Sequence, residues 1–276
     1  MNQSVQIKPR RSLSPAQELI WMSQRLEPGS PHQNMALVTR FDQPIEPGKF
    51  LDAVDSVVAE SDALRTMVML VDGVPHRMIA PVPPAPCKIA RVDPTDFDAW
   101  ISARVQVPLD TSTAAYESVL VDLGDDDWAW FVNVHHLVID AVSSENFFNA
   151  VAETYQGNHV DLLSYADVVA DLVSTQKPVL VERANKYWDS QPAPVPTQMY
   201  RVGESTTLAE RVGIDMSTGR QDQLDELVAQ KPFALISPEL SRAVALAVMT
   251  ASYLARMGNE TITIGVPIHH LSLIHI

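Results

Sequence analysis

Apolar and polar positions follow two different periods along this chain, and the places where one gives way to the other mark its elements. Trp128-Ala129-Trp130-Phe131-Val132-Asn133-Val134 is aromatic and β-branched, and reads as a strand buried on at least one face. Further on, Phe147, Val151 and Tyr155 recur every four residues with Phe148 and Ala152 beside them, which is helix spacing. His135 and His136 therefore leave the end of a buried strand, and Asp140 sits where the next helix begins.

The same reading places the other elements. Ser14-Pro15-Ala16-Gln17 combines a Ser N-cap, Pro at the first helical position and Gln three after the cap, a capping-box start. Ala16, Leu19, Ile20 and Leu26 would form the apolar face of that helix. A strand is expected from Asn34 to Phe41, then a helix from Pro47 to Ser61 with Phe50, Val54, Val57 and Val58 inward. Thr66 to Val71 and Val74 to Ile79 read as a hairpin about Asp72-Gly73. Glu117 to Leu123 pairs with the Trp128 strand through Gly124-Asp125-Asp126-Asp127, a solvated acidic turn. Helices are expected from about Ser143 to Gly157, Ser164 to Thr175 and Val179 to Ser190.

The clearest boundary is Gln191-Pro192-Ala193-Pro194-Val195-Pro196-Thr197, whose alternating prolines give a stiff, extended connector. Beyond it a strand (Thr206 to Ile214), helices near Ser217 to Ala229 and Ser237 to Met257, and a strand (Thr261 to Val266) are expected. The uncharged run from Ala243 to Ala255 is well short of the ~20 residues that cross a bilayer, and reads as a buried helix.

Composition narrows the class. A chain of 276 residues with 46% hydrophobic and 20% charged residues can build a large core. A net charge of −14 argues against nucleic acid and anionic membrane surfaces as partners. The single cysteine, Cys87, cannot form an internal disulfide and reads as a plain strand residue in a reducing compartment. With no apolar leader at the N-terminus, a cytoplasmic location is expected.

A histidine held at a strand end by a rigid frame can move a proton near neutral pH. A hydrogen-bonded structural pair is the plainer alternative. Metal is a third, because His136 and Asp140 both carry ligand atoms, but Leu137, Val138 and Ile139 favour extended structure that would spread them apart. No metal is expected.

His135-His136-Leu137-Val138-Ile139-Asp140 resembles the active-site motif of nonribosomal peptide synthetase condensation domains and of related acyltransferases of the chloramphenicol acetyltransferase-like superfamily. Other segments match in order. Leu13 to Trp21 resembles the family's opening motif, and Glu60-Ser61-Asp62-Ala63-Leu64-Arg65-Thr66 its second. Tyr165-Ala166-Asp167 resembles a Tyr-x-Asp segment, and Ile264-Gly265-Val266-Pro267 a later strand end. One departure is Ala141, where the family usually has Gly; the turn should survive with a narrower passage. Another is length, since complete members run well past residue 276.

The resemblance implies an α+β, two-lobed fold: a complete first lobe over residues 1–190, a linker over 191–203, and an incomplete second lobe over 204–276. It implies that His136 meets the nucleophile at the lobe junction while His135 and Asp140 are structural. A buried carboxylate needs a partner, and Arg65 is the candidate for Asp140. Ala141 and Ser143 would border the substrate channel. The implied reaction is amide formation between an acyl thioester and an amine, both tethered by phosphopantetheine to carrier proteins, with no cofactor bound directly. Partners would be peptidyl or acyl carrier domains and neighbouring synthetase domains. Two alternatives stand beside it: a free-standing acyltransferase using a coenzyme A or carrier thioester, and an inactive docking fragment.

Overall fold

The structure, a computed structural model, describes residues 11–165, 167, 178–191, 218–231, 234, 238–257, 262 and 264. The chain divides into two compact units, with the break between Gln176 and Lys177.

The first unit is α+β, in the order β1 (Arg11–Ser12), α1 (Pro15–Leu26), β2 (Asn34–Arg40), α2 (Pro47–Glu60), β3 (Thr66–Val71), β4 (Val74–Ile79) and β5 (Lys88–Arg91). A short 3-10 turn leads into α3 (Phe97–Val105), followed by β6 (Tyr116–Gly124), β7 (Asp127–His135) and α4 (Ala141–Gln156). One sheet has the order β2-β7-β6-β5, antiparallel except for the parallel β5–β6 pair. A smaller sheet has the order β1-β4-β3. Its hairpin closes at Asp72-Gly73, both at positive φ (52° and 81°), the backbone that a tight two-residue turn needs.

The pattern of β6 and β7 is explained by burial on both faces. Tyr116, Leu120, Trp130, Val132 and Val134 join a core with Phe50, Val54, Val57 and Val58 of α2 and Phe147, Ala150 and Val151 of α4. Val119, Val121, Leu123, Ala129 and Phe131 face the other way, onto Phe97, Trp100, Ile101 and Val105 of α3. A strand covered on both sides reads as a nearly continuous apolar run. Its polar Ser118 is buried because its hydroxyl accepts from the Trp130 indole N–H at 2.9 Å and donates to Cys87 Sγ at 3.2 Å.

Several expectations are corrected. Leu19 and Leu26 are 71% and 83% exposed, so they are not the inner face of α1; Gln17 is fully buried instead, for reasons given below. Ala152 of α4 is exposed. The strand β5 and the helix α3 went unread because neither carries a strong period. Cys87 precedes β5 rather than lying in it, and burial pushes its thiol pKa up, which leaves it unreactive.

In the second unit, the described helices are α5 (Pro178–Asp189), α6 (Thr218–Val228) and α7 (Pro238–Arg256). Val179 and Trp188 are 73% and 70% exposed, and α5 buries no residue. The expected fully buried helix is amphipathic in fact: Ala245 and Leu254 of α7 are buried, while Val248, Met249 and Tyr253 are exposed. The expected helix at 164–175, the linker prolines, the strand at 206–214 and most of the strand at 261–266 lie outside the described residues.

Buried and exposed apolar positions separate in a thermal or denaturant melt. Phe131→Ala should cost about 3–5 kcal/mol, and Leu19→Ala should stay within roughly 0.5 kcal/mol of the parent.

Candidate active site

β7 ends at His135, whose N–H donates to the Ala115 carbonyl at 2.8 Å, and the chain turns at once. His136 N–H donates to the Gln33 carbonyl at 2.8 Å, and Val138 N–H returns to the His135 carbonyl at 3.0 Å. Leu137, Val138 and Ile139 are each at most 1% exposed and belong to the main core. They do not run extended, as their β-branched character suggested, because burying all three favours a turn into the core. The residue left facing outward is His136, which is half-buried.

The two histidines differ in kind. His135 is 1% exposed, and its Nδ1 accepts from Leu137 N–H at 3.1 Å, so the neutral ring carries its proton on Nε2. Burial, reinforced by the nearby His136 and His32, pulls its pKa from 6.5 down to about 4. His135 is thus a neutral, structural imidazole. His136, by contrast, is half-buried.

The turn is clamped from outside by α1. Gln17 Nε2 donates to the Leu137 carbonyl at 3.1 Å and also to the Tyr165 hydroxyl, while its Oε1 accepts from Ser14 N–H at 3.1 Å. This buried glutamine is the functional residue that sequence reasoning missed. Its place in a capping box was visible, but the reach of its amide across 120 positions in the chain was not.

Asp140 and Ser143 form a reciprocal capping box at the start of α4. Ser143 N–H donates to Asp140 Oδ1 at 2.8 Å, and Asp140 N–H donates to Ser143 Oγ at 2.7 Å. The helix N-terminus offers unpaired donors and a positive dipole end, which is what a buried carboxylate needs. Arg65 does not pair with Asp140. Its Nη2 donates to Asp62 at 2.9 Å and its Nη1 to the Ala80 carbonyl at 2.7 Å. Ser143 is fully buried, so it is a cap and not a channel wall. Ala141 is exposed and is the first helical residue of α4, with no positive φ, so the position makes no demand for glycine.

The matched segments converge. Tyr165 meets Gln17 through its hydroxyl and lies under the Arg77 guanidinium at 5.1 Å, and Ser164 donates to Asp62 at 3.1 Å. Residues 265–270 lie outside the described residues. Among the described residues no group of three or more His, Cys, Asp or Glu is placed to hold a metal ion, and no helix is long and apolar enough to cross a membrane.

Comparison with known proteins identifies the family and its fold. The family model described as Condensation domain matches residues 9–270. The chain belongs to the condensation-domain family. Among curated relatives of this condensation domain, the isonitrile lipopeptide synthase of Streptomyces coeruleorubidus is 30% identical over 169 residues, 59% of this chain and 11% of that protein. The dimodular nonribosomal peptide synthase of Bacillus subtilis (strain 168) is 30% identical over 151 residues, 52% of this chain and 6% of that protein. Among solved structures, the starter condensation domain of rhizomide synthetase RzmA superposes with a TM-score of 0.59 at 25% identity, covering 69% of this chain and 52% of that one. The first condensation domain of the calcium-dependent antibiotic synthetase, bound to a substrate analogue, gives 0.58 at 22% identity, covering 66% and 47%. The α+β expectation therefore holds, and the chain spans about half the length of these solved domains.

The cap assignment makes a distinction that an ion pair would not. Asp140→Ala should cost about 1–2 kcal/mol, Asp140→Asn should recover most of that loss, and His136→Ala should cost less than about 0.5 kcal/mol. Denaturant melts of the three variants check the ordering.

Burial of a neutral His135 also sets a pH dependence. Because its folded pKa is depressed from 6.5 to about 4, the ring is neutral in both states above that window, and stability is lost as pH falls through it. The loss from this group should reach about 3 kcal/mol at the acid end. Melts of the parent and His135→Gln from pH 7 to pH 4 should show a shallower acid slope in the variant.

Proposed function

We propose that this chain carries the reactive-histidine part of a nonribosomal peptide synthetase condensation domain. The whole domain would join an acyl thioester on one carrier protein to an amine on another. The observation that carries the reading is the turn after β7, which buries His135 and leaves His136 half-exposed at the end of a rigid strand. Membership of the condensation-domain family supports it, as do relatives whose names are those of peptide synthases.

In this reading the amine nitrogen attacks the thioester carbonyl carbon and the C–S bond breaks. The thiol leaves on its phosphopantetheine arm, and the proton shed by nitrogen passes by way of His136 to the departing sulfur. A free α-amine has a pKa of roughly 7.7–8.0, so much of it is already neutral near pH 7. His136 therefore orients the amine and takes its proton as the bond forms, rather than removing a proton beforehand. Gln17, Asp140 and Ser143 act by holding the turn. They are positioning residues.

Arg65 ties Asp62 to the Ala80 carbonyl. Because the match covers only about half of the solved domains, turnover belongs to the whole domain. In the intact synthetase, with both carriers loaded, His136→Ala should reduce amide formation by about 10²–10⁴-fold while the melt is unchanged. Undiminished condensation in that variant would overturn the reading. Transfer from a free coenzyme A thioester, with no carrier required, would favour the free-standing acyltransferase.

A further inference from the structure

His136 hangs on a residue that lies outside both strands. The last registered pair of the β2–β7 ladder is Asn34–His135. One step further out, the His136 N–H donates to the Gln33 carbonyl at 2.8 Å. Continuing the antiparallel register sets Gln33 directly opposite His136, on the same face of the sheet, where such pairs have Cβ atoms roughly 4.5–5.5 Å apart. Gln33 closes the 27–33 connection between α1 and β2, in which Glu27, Pro28, Gly29 and His32 are all exposed. A strand end entered from an exposed connection frays unless side chains hold it.

Two side chains of α1 supply that hold. Gln24 Nε2 donates to the carbonyls of Glu27 and Ser30, each at 3.0 Å. Ser23 Oγ accepts from Gln33 Nε2 at 3.3 Å and pairs with His32 Nε2 at 2.9 Å. Serine is a poorer helix former than alanine, so α1 gains nothing on its own account from a hydroxyl within its last turn but one. Both of these side-chain partners of the hydroxyl lie on the connection. They join it to the residue that carries the His136 backbone.

We propose that Ser23, through Gln33, is a positioning residue for His136. The hydroxyl, oriented by His32, fixes the Gln33 side chain, and with it the carbonyl that the His136 N–H meets and the cross-strand neighbour of the imidazole. Neither Ser23 nor Gln33 touches the reacting atoms. The inference rests on the reading that His136 orients the amine, and it adds that α1 sets where that histidine stands.

The test measures amide formation by the intact synthetase, with both carriers loaded, in Ser23→Ala, Ser23→Thr, Gln33→Leu and His136→Ala. Gln33→Leu keeps the main-chain carbonyl and removes the amide. Ser23→Ala and Gln33→Leu should each lower kcat about 3–10-fold, the worth of one neutral hydrogen bond, with the melt unchanged. Ser23→Thr, which keeps the hydroxyl, should restore most of the loss. In a His136→Ala background Ser23→Ala should cost nothing further, because both act through one group. Undiminished turnover in Ser23→Ala beside a damaged His136→Ala would overturn this proposal and leave the reading of His136 standing. An additive loss in the double variant, or no rescue by threonine, would overturn it too. Undiminished turnover in His136→Ala would instead overturn the reading of the site, and the role of Ser23 with it.

Discussion

Burial of Leu137, Val138 and Ile139 is the interaction on which the site depends. Three consecutive apolar side chains enter the core between a strand end and a helix start, and no extended chain can send all three to one side. The backbone must turn, and the turn assigns opposite environments to two adjacent histidines. Gln17 then fixes the turn's carbonyl from α1, and the Asp140–Ser143 box fixes its exit into α4. Substituting any one of these three supports loosens the same short segment.

The support network also explains why matched segments far apart in sequence come together. Gln17 reaches Tyr165, and Asp62 joins Arg65 to Ser164. Each contact satisfies a polar group that the core has removed from water, which is the condition for burying it at all. A carboxylate can meet that condition with an arginine or with a helix N-terminus. Asp62 takes the first solution; Asp140 takes the second for its Oδ1 alone, its Oδ2 being buried without a partner among the described residues.

The double-faced strands and α2 were legible because their apolar periods are strong: Phe50, Val54, Val57 and Val58 lie inward as their spacing predicts. The Asp72-Gly73 turn was legible from its chemistry alone. The inner face of α1 was not, because an amide buried for its hydrogen bonds breaks the apolar period and leaves Leu19 looking like the better candidate. β5 pairs in parallel with β6, a long-range choice that four residues do not encode locally. The Asp140 partner was misread for a related reason: residue type says that a carboxylate needs donors but not which ones. Family resemblance pointed to His136. Only the three-dimensional arrangement shows why it, and not His135, stays accessible.

That asymmetry can be measured by acylating the native protein with diethyl pyrocarbonate, which modifies accessible, unprotonated imidazole, and mapping the modified residues by mass spectrometry. The account predicts that His136 is modified while the fold is intact, and that His135, 1% exposed, is protected until the chain unfolds. Modification of His135 at the rate of His136 in the folded protein would contradict it.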